Sequence, residues 1–99
     1  MGFFSKLFGP GIDLKEKLNQ GAIILDVRTK GEYKGGCVKG SINIPLDILD
    51  SRIKEIKLKG KPVITCCASG MRSGVAKNKL KANGVEAYNG GSWMKVQTL

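Results

Sequence analysis

The sequence predicts a small α/β domain with a central, mainly parallel β-sheet and helices on both faces. Short apolar runs of strand length alternate with segments whose apolar residues recur at the helical period. Glycine, proline or Asn-Gly punctuates almost every junction between them. The 99 residues allow one domain, which buries roughly 65% of the surface its unfolded chain exposes. Strands that alternate with helices pair in parallel, because each helix returns the chain to the same end of the sheet.

Gly9-Pro10-Gly11 breaks the chain before a first helix, in which Asp13 and Glu16 have capping-box spacing and Leu14 and Leu18 share a face. Ala22-Ile23-Ile24-Leu25 is an unbroken apolar run, as in a strand buried on both faces. Asp26-Val27-Arg28 leads into a glycine-bearing loop or short helix, and Ile42-Asn43-Ile44 is a second strand stopped by Pro45. Leu46, Leu49, Ile53 and Ile56 then mark a helix with Asp47 or Asp50 as its expected cap. Lys59-Gly60-Lys61-Pro62 turns into a third strand, Val63-Ile64-Thr65-Cys66. Arg72 to Asn83 is expected as a helix with Val75, Ala76 and Leu80 inward, closed by Asn83-Gly84. Val85-Glu86-Ala87-Tyr88 is expected as the fourth strand, ended by Asn89-Gly90-Gly91.

Composition narrows the function classes. Lys and Arg number 17 against 8 Asp and Glu, a formal net charge of +9 with no His. The lysines are spaced singly and do not interleave with aromatics, which predicts a solvated face with a general attraction for small anions rather than a nucleic-acid groove. Lacking His, the chain has neither the commonest general base nor the commonest metal ligand, and no cofactor or metal is expected. Its three cysteines, Cys37, Cys66 and Cys67, make a poor disulfide framework and lack C-x-x-C zinc spacing. Free thiols suit a reducing, cytoplasmic compartment. Residues 1–11 are expected as a short N-terminal extension to a domain over 12–99. Phe3, Phe4, Leu7 and Phe8 would pack on that domain, without stable membrane insertion.

The chemistry concentrates where the third strand meets the next helix, since α/β sheets bind ligands at the carboxyl ends of their strands. Cys67 falls there, followed by Ala68-Ser69-Gly70-Met71-Arg72-Ser73. Small residues at 68–70 let the backbone curl so that successive N–H groups converge, and such a nest before a helix stabilises an anion or a thiolate. A free thiol titrates near 8.5, and settings of this kind bring it to about 3.5–7.5. Lowering it by about two units is worth roughly 2.7 kcal/mol to the charged form. Arg72 adds a fixed charge with a planar fork. Cys66 lies within the strand, so its side chain should point to the opposite face and serve packing only.

The segment resembles the active-site loop of the rhodanese family, C-x-x-G-x-R-[ST], on Cys67, Gly70, Arg72 and Ser73. The strand led by Pro62 matches the family's register. Upstream, Leu25-Asp26-Val27-Arg28, Glu32-Tyr33, Gly36, Gly40-Ser41 and Asn43-Ile44-Pro45-Leu46 follow its L-D-V-R, E-Y and N-I-P-L pattern. Tyr88 and Gly90-Gly91 stand where the family has its last strand and glycine pair. The resemblance spans about residues 12 to 93. It implies a sulfurtransferase or sulfur carrier in which Cys67 takes sulfane sulfur from thiosulfate or a persulfide and passes it to a thiol or cyanide. Ala68, Ser69, Gly70, Met71, Arg72 and Ser73 would bind the sulfur-bearing anion, and the implied partners are that small anion, a thiol acceptor and a sulfur-accepting protein.

Cys37 replaces the family's usual His, and Ala68 stands where many thiosulfate-using members carry Arg, which leaves the natural donor open. Trp93 follows the glycine pair more closely than is usual, so the tail should pack differently. The resemblance gives Asp26, Arg28, Glu32 and Tyr33 structural roles. Two alternatives stand beside this reading. Counted from Cys66, the loop is C-x5-R-S, the phosphate-sized cradle of cysteine phosphatases and arsenate reductases. A non-catalytic binding or sulfur-delivery module is the other.

Overall fold

A computed structural model describes residues 12–99. Its elements follow in the order α1 (Leu14–Asn19), β1 (Ile23–Asp26), α2 (Lys30–Lys34), β2 (Ile42–Asn43), α3 (Leu46–Leu58), β3 (Val63–Cys67), α4 (Met71–Ala82), β4 (Ala87–Ser92) and α5 (Trp93–Gln97). The four strands form one sheet in the order β2-β1-β3-β4, and every pairing is parallel. The α/β architecture expected from the alternation is the one observed. The packing expected of residues 1–11 lies outside the described residues.

Alternation along the strands divides the core into two layers. Leu25, Val63 and Cys67 face Leu49, Ile53 and Ile56 of α3 and Ala76 and Leu80 of α4. The neighbouring strand residues Ile64 and Cys66 face the other way, onto Val38 and Val96, with Leu14, Leu18, Ile24 and Trp93 packed around them. Burying each Leu- or Ile-sized side chain in such a layer is worth about 1.5–3 kcal/mol, so both layers are needed to hold so small a domain.

Several local expectations are corrected. Helix α3 is entered from Pro45 at its N-cap, with φ −55° and no side-chain cap hydrogen bond, so neither Asp47 nor Asp50 is the cap. Asp47 sits in the first turn, and Asp50 pairs instead with Lys79 of α4 at 3.1 Å. Val75 is 47% exposed, because α4 buries Ser73, Ala76 and Leu80 and turns Val75 outward. The fourth strand runs from Ala87 to Ser92 rather than over 85–88. Val85 remains tied to α4, its N–H donating to the Leu80 carbonyl at 3.0 Å.

The extension of β4 through Asn89-Gly90-Gly91 has a steric cause. A Cβ on Gly90 would lie 2.6 Å from Cγ2 of Val96, 2.8 Å from Cγ2 of Ile64 and 2.9 Å from the Thr65 carbonyl. Only glycine lets α5 and β3 close on the strand there. Its pairing with β3 is irregular, since Thr65 pairs with Asn89 and Cys67 with Ser92. This bulge bends β4 beside the end of β3.

Candidate active site

The order of the sheet reverses between β1 and β3, the two strands that lead to opposite edges, and α/β sheets bind ligands at the carboxyl ends of the strands at such a point. Cys67, the last residue of β3, stands at this point. The chain then turns through the exposed Ala68 and Ser69 to Gly70, which begins α4 with φ +104°, a left-handed conformation that favours glycine.

The turn brings donors onto the sulfur. The Gly70 N–H donates to Cys67 Sγ at 3.0 Å and the Ser73 N–H at 3.4 Å. Ser73 Oγ lies 3.4 Å from the same sulfur. Burial pushes the thiol up, but the Ser73 hydroxyl and the N–H groups of Ser73, Gly70 and Ser69 outweigh it, and the Cys67 thiol lies below its ordinary value. Cys67 is 0% exposed, with its sulfur at the floor of the turn.

Cys66 differs in each respect. It is also buried, but on the opposite face of the sheet, against Val38, Ile64 and Val96. Burial, reinforced by the Asp26 carboxylate, pushes its thiol up to about 12. Cys37 is half-buried, and all three cysteines are free.

Of the loop residues read from the sequence, Gly70 and Ser73 meet the sulfur directly. Met71 points its side chain into solvent, 80% exposed. Arg72 is engaged elsewhere: Nη1 donates to Glu32 Oε1 at 2.7 Å and Nη2 to Oε2 at 3.0 Å. The Arg72 guanidinium, with the Thr29 N–H, holds the Glu32 carboxyl at about 2, well below the usual carboxylate range. Glu32 is itself fixed by a capping box with Thr29 at the start of α2. The fork that the sequence aims at a substrate anion is thus occupied by a carboxylate of the same chain.

Asp26 and Arg28 form a buried pair beneath the site. Arg28 donates to both carboxylate oxygens of Asp26, at 2.7–3.0 Å, and to the Gly36 carbonyl at 2.7 Å. Its guanidinium lies 4.7 Å from the ring centre of Trp93. Trp93 reaches this position because Ser92 caps α5, with Oγ accepting from the Lys95 N–H. The tail therefore closes over the Asp26–Arg28 pair.

Asn89 was not singled out by the sequence. Its Nδ2 donates to the Gly70 carbonyl at 3.0 Å, and its Oδ1 accepts from Ser73 Oγ at 2.7 Å and from the Gly91 N–H at 2.9 Å. A polar residue just before a glycine pair is the one signal available, and it reads equally well as the start of a turn. Among the described residues no cluster of His, Cys, Asp or Glu is arranged to hold a metal, and no helix is long and apolar enough to cross a membrane.

The family model described as "Rhodanese-like domain" matches residues 12–96. The chain belongs to the rhodanese-like domain family. Among relatives of this rhodanese-like domain, Bacillus subtilis YqhL is 44% identical over 69 residues, covering 69% of this chain and 54% of YqhL. The putative sulfur carrier protein YrkF of the same organism is 34% identical over 77 residues, covering 78% of this chain and 39% of YrkF. This chain therefore spans only part of either relative's length. A rhodanese-like domain protein from Staphylococcus aureus superposes with a TM-score of 0.72 at 31% identity, covering 85% of this chain and 83% of that one.

Proposed function

We propose that this rhodanese-like domain is a sulfurtransferase or sulfur carrier that holds sulfane sulfur on Cys67 as a persulfide. The observation that carries the reading is the convergence of the Gly70 and Ser73 N–H groups on Cys67 Sγ at the switch point of the sheet. The Cys67 thiolate attacks the outer sulfur of a donor persulfide. The donor's S–S bond breaks, the donor leaves as a thiolate, and Cys67 Sγ gains one sulfur bearing the negative charge. Backbone N–H groups of the loop stabilise that charge. An acceptor thiolate then attacks the outer sulfur and releases the Cys67 thiolate. No electrons are gained or lost overall, and no general base is required once the thiolate has formed. The description of the relative YrkF as a putative sulfur carrier protein supports this chemistry.

The geometry favours a persulfide over thiosulfate as donor. Arg72 is the only charged side chain of the loop, and Glu32 neutralises it, so a dianion meets no unpaired cation there. The alternative centred on Cys66 has little support, because that thiol is buried on the other face and pushed up to about 12. Intact-mass measurement after incubation with glutathione persulfide, or with thiosulfate, tests the reading. One added sulfur on the parent protein, absent in Cys67→Ser, is expected, with the persulfide the faster donor. Equal loading of Cys67→Ser would end the proposal.

A further inference from the structure

The Ser73 hydroxyl has one proton and two neighbours that compete for it: Asn89 Oδ1 at 2.7 Å and Cys67 Sγ at 3.4 Å. The orientation of the Asn89 amide decides between them. Nδ2 faces the Gly70 carbonyl and Oδ1 faces the Gly91 N–H. Reversing the amide would set donor against donor and acceptor against acceptor, so two backbone groups lock it. With Oδ1 turned to it, Ser73 donates to Asn89. Helix α4 also makes room for this amide: a Cβ on Gly74 would lie 3.3 Å from Asn89 Nδ2. Glycine is otherwise an unfavourable residue inside a helix.

We propose that Asn89 is a positioning residue that draws the Ser73 proton away from Cys67, so that in the resting site the thiol donates to Ser73 Oγ and Ser73 donates to Asn89. The inference rests on Cys67 as the working thiol and adds what opposes its ionisation. When Cys67 releases its proton to solvent, the sulfur can only accept. The Ser73 hydroxyl must then leave Asn89 in order to donate to the thiolate. In a persulfide the charge moves to the outer sulfur and Sγ carries no proton, so Ser73 keeps its bond to Asn89. Asn89 thereby disfavours the empty thiolate relative to the sulfur-loaded cysteine.

The charged group set toward Cys67 is Arg72 of α4, paired with Glu32 of α2, while Asp26 of β1 and Arg28, also paired, face Cys66. None is altered in the variants that test the proposal. The rate of iodoacetamide alkylation is followed against pH for each cysteine, resolved by peptide mass mapping. In Asn89→Ala the Cys67 midpoint is expected to fall by about 0.5 to 1 pH unit, the scale of one hydrogen bond gained by the thiolate. In Asn89→Ala combined with Ser73→Ala, the fall relative to Ser73→Ala alone should vanish. A midpoint that rises or stays put in Asn89→Ala overturns the proposal, as does a fall that survives without the Ser73 hydroxyl. Should Asn89→Ala not fold, Asn89→Ser also withdraws the amide oxygen and carries the same expectation. Failure of both to fold overturns a role confined to one proton. If the only thiol reacting near neutral pH in the parent maps to Cys37, the reading of Cys67 itself fails. A reactive Cys67 that ignores Asn89 sinks the positioning role alone.

Discussion

Gly70 and Gly91 meet backbone to backbone: a Cβ on Gly70 would lie 3.3 Å from the Cα of Gly91. The glycine that begins α4 and the glycine that ends the last strand's bulge thus form one contact, although the sequence separates them by a whole helix. Gly70 also has φ +104°, so an L side chain there meets both backbone strain and a close neighbour. Gly70→Ala is expected to cost about 1–2 kcal/mol or more in urea unfolding. It should also raise the Cys67 thiol, because the Gly70 N–H would leave the sulfur. A fully stable Gly70→Ala with unchanged thiol reactivity would show that the turn is not held in this way.

Gly90→Ala makes a sharper test of packing. The added methyl would collide with Val96, Ile64 and the Thr65 carbonyl, and the last of these cannot rotate aside. Overpacking of this kind costs about 1–3 kcal/mol. The loss should appear in chemical unfolding, and α5 should detach before the sheet melts, as read by hydrogen exchange at Val96.

Arg72 and Glu32 should act as a unit. Removing Arg72 leaves the Glu32 carboxylate unpaired near Cys67, where it repels anionic donors. Arg72→Ala should therefore slow sulfur loading of Cys67, and adding Glu32→Gln should restore much of the rate. Equal loading by Arg72→Ala and the double variant would indicate that the guanidinium works on the donor directly.

The same pair sets an acid dependence. The Glu32 carboxyl is lowered from 4.5 to about 2, so its contribution to stability is complete above about 4.5 and is lost as pH falls towards about 2. Denaturant midpoints compared at pH 7 and pH 3 should fall less in Glu32→Gln than in the parent protein. Salt should reduce the difference, since both side chains are 36% exposed.

Burial of Cys66 implies the opposite sign at high pH. Its thiol is raised from 9 to about 12, so the stability it contributes is present below about 9 and lost as pH rises towards about 12. Cys66→Ala should flatten the alkaline limb of a stability profile. Cys66 itself should resist alkylation at neutral pH until the chain unfolds.

By itself the sequence determined the element order, the α/β class, the strand-to-helix junction at Cys67 and the opposite facing of Cys66. These follow from local periodicity, glycine and proline placement and side-chain alternation, which a linear chain displays in full. Only the tertiary structure decided what touches the junction. Glu32 on α2 claims the Arg72 fork from 40 residues away, and Asn89 on β4 claims the Ser73 hydroxyl from 16 residues away. The span of β4 likewise depends on tertiary contacts, because Gly90 and Gly91 resemble turn residues until Val96 and Ile64 are seen to close on Gly90. Polar partnership and close backbone approach depend on which elements the sheet order makes neighbours, and that order leaves no local trace in the chain.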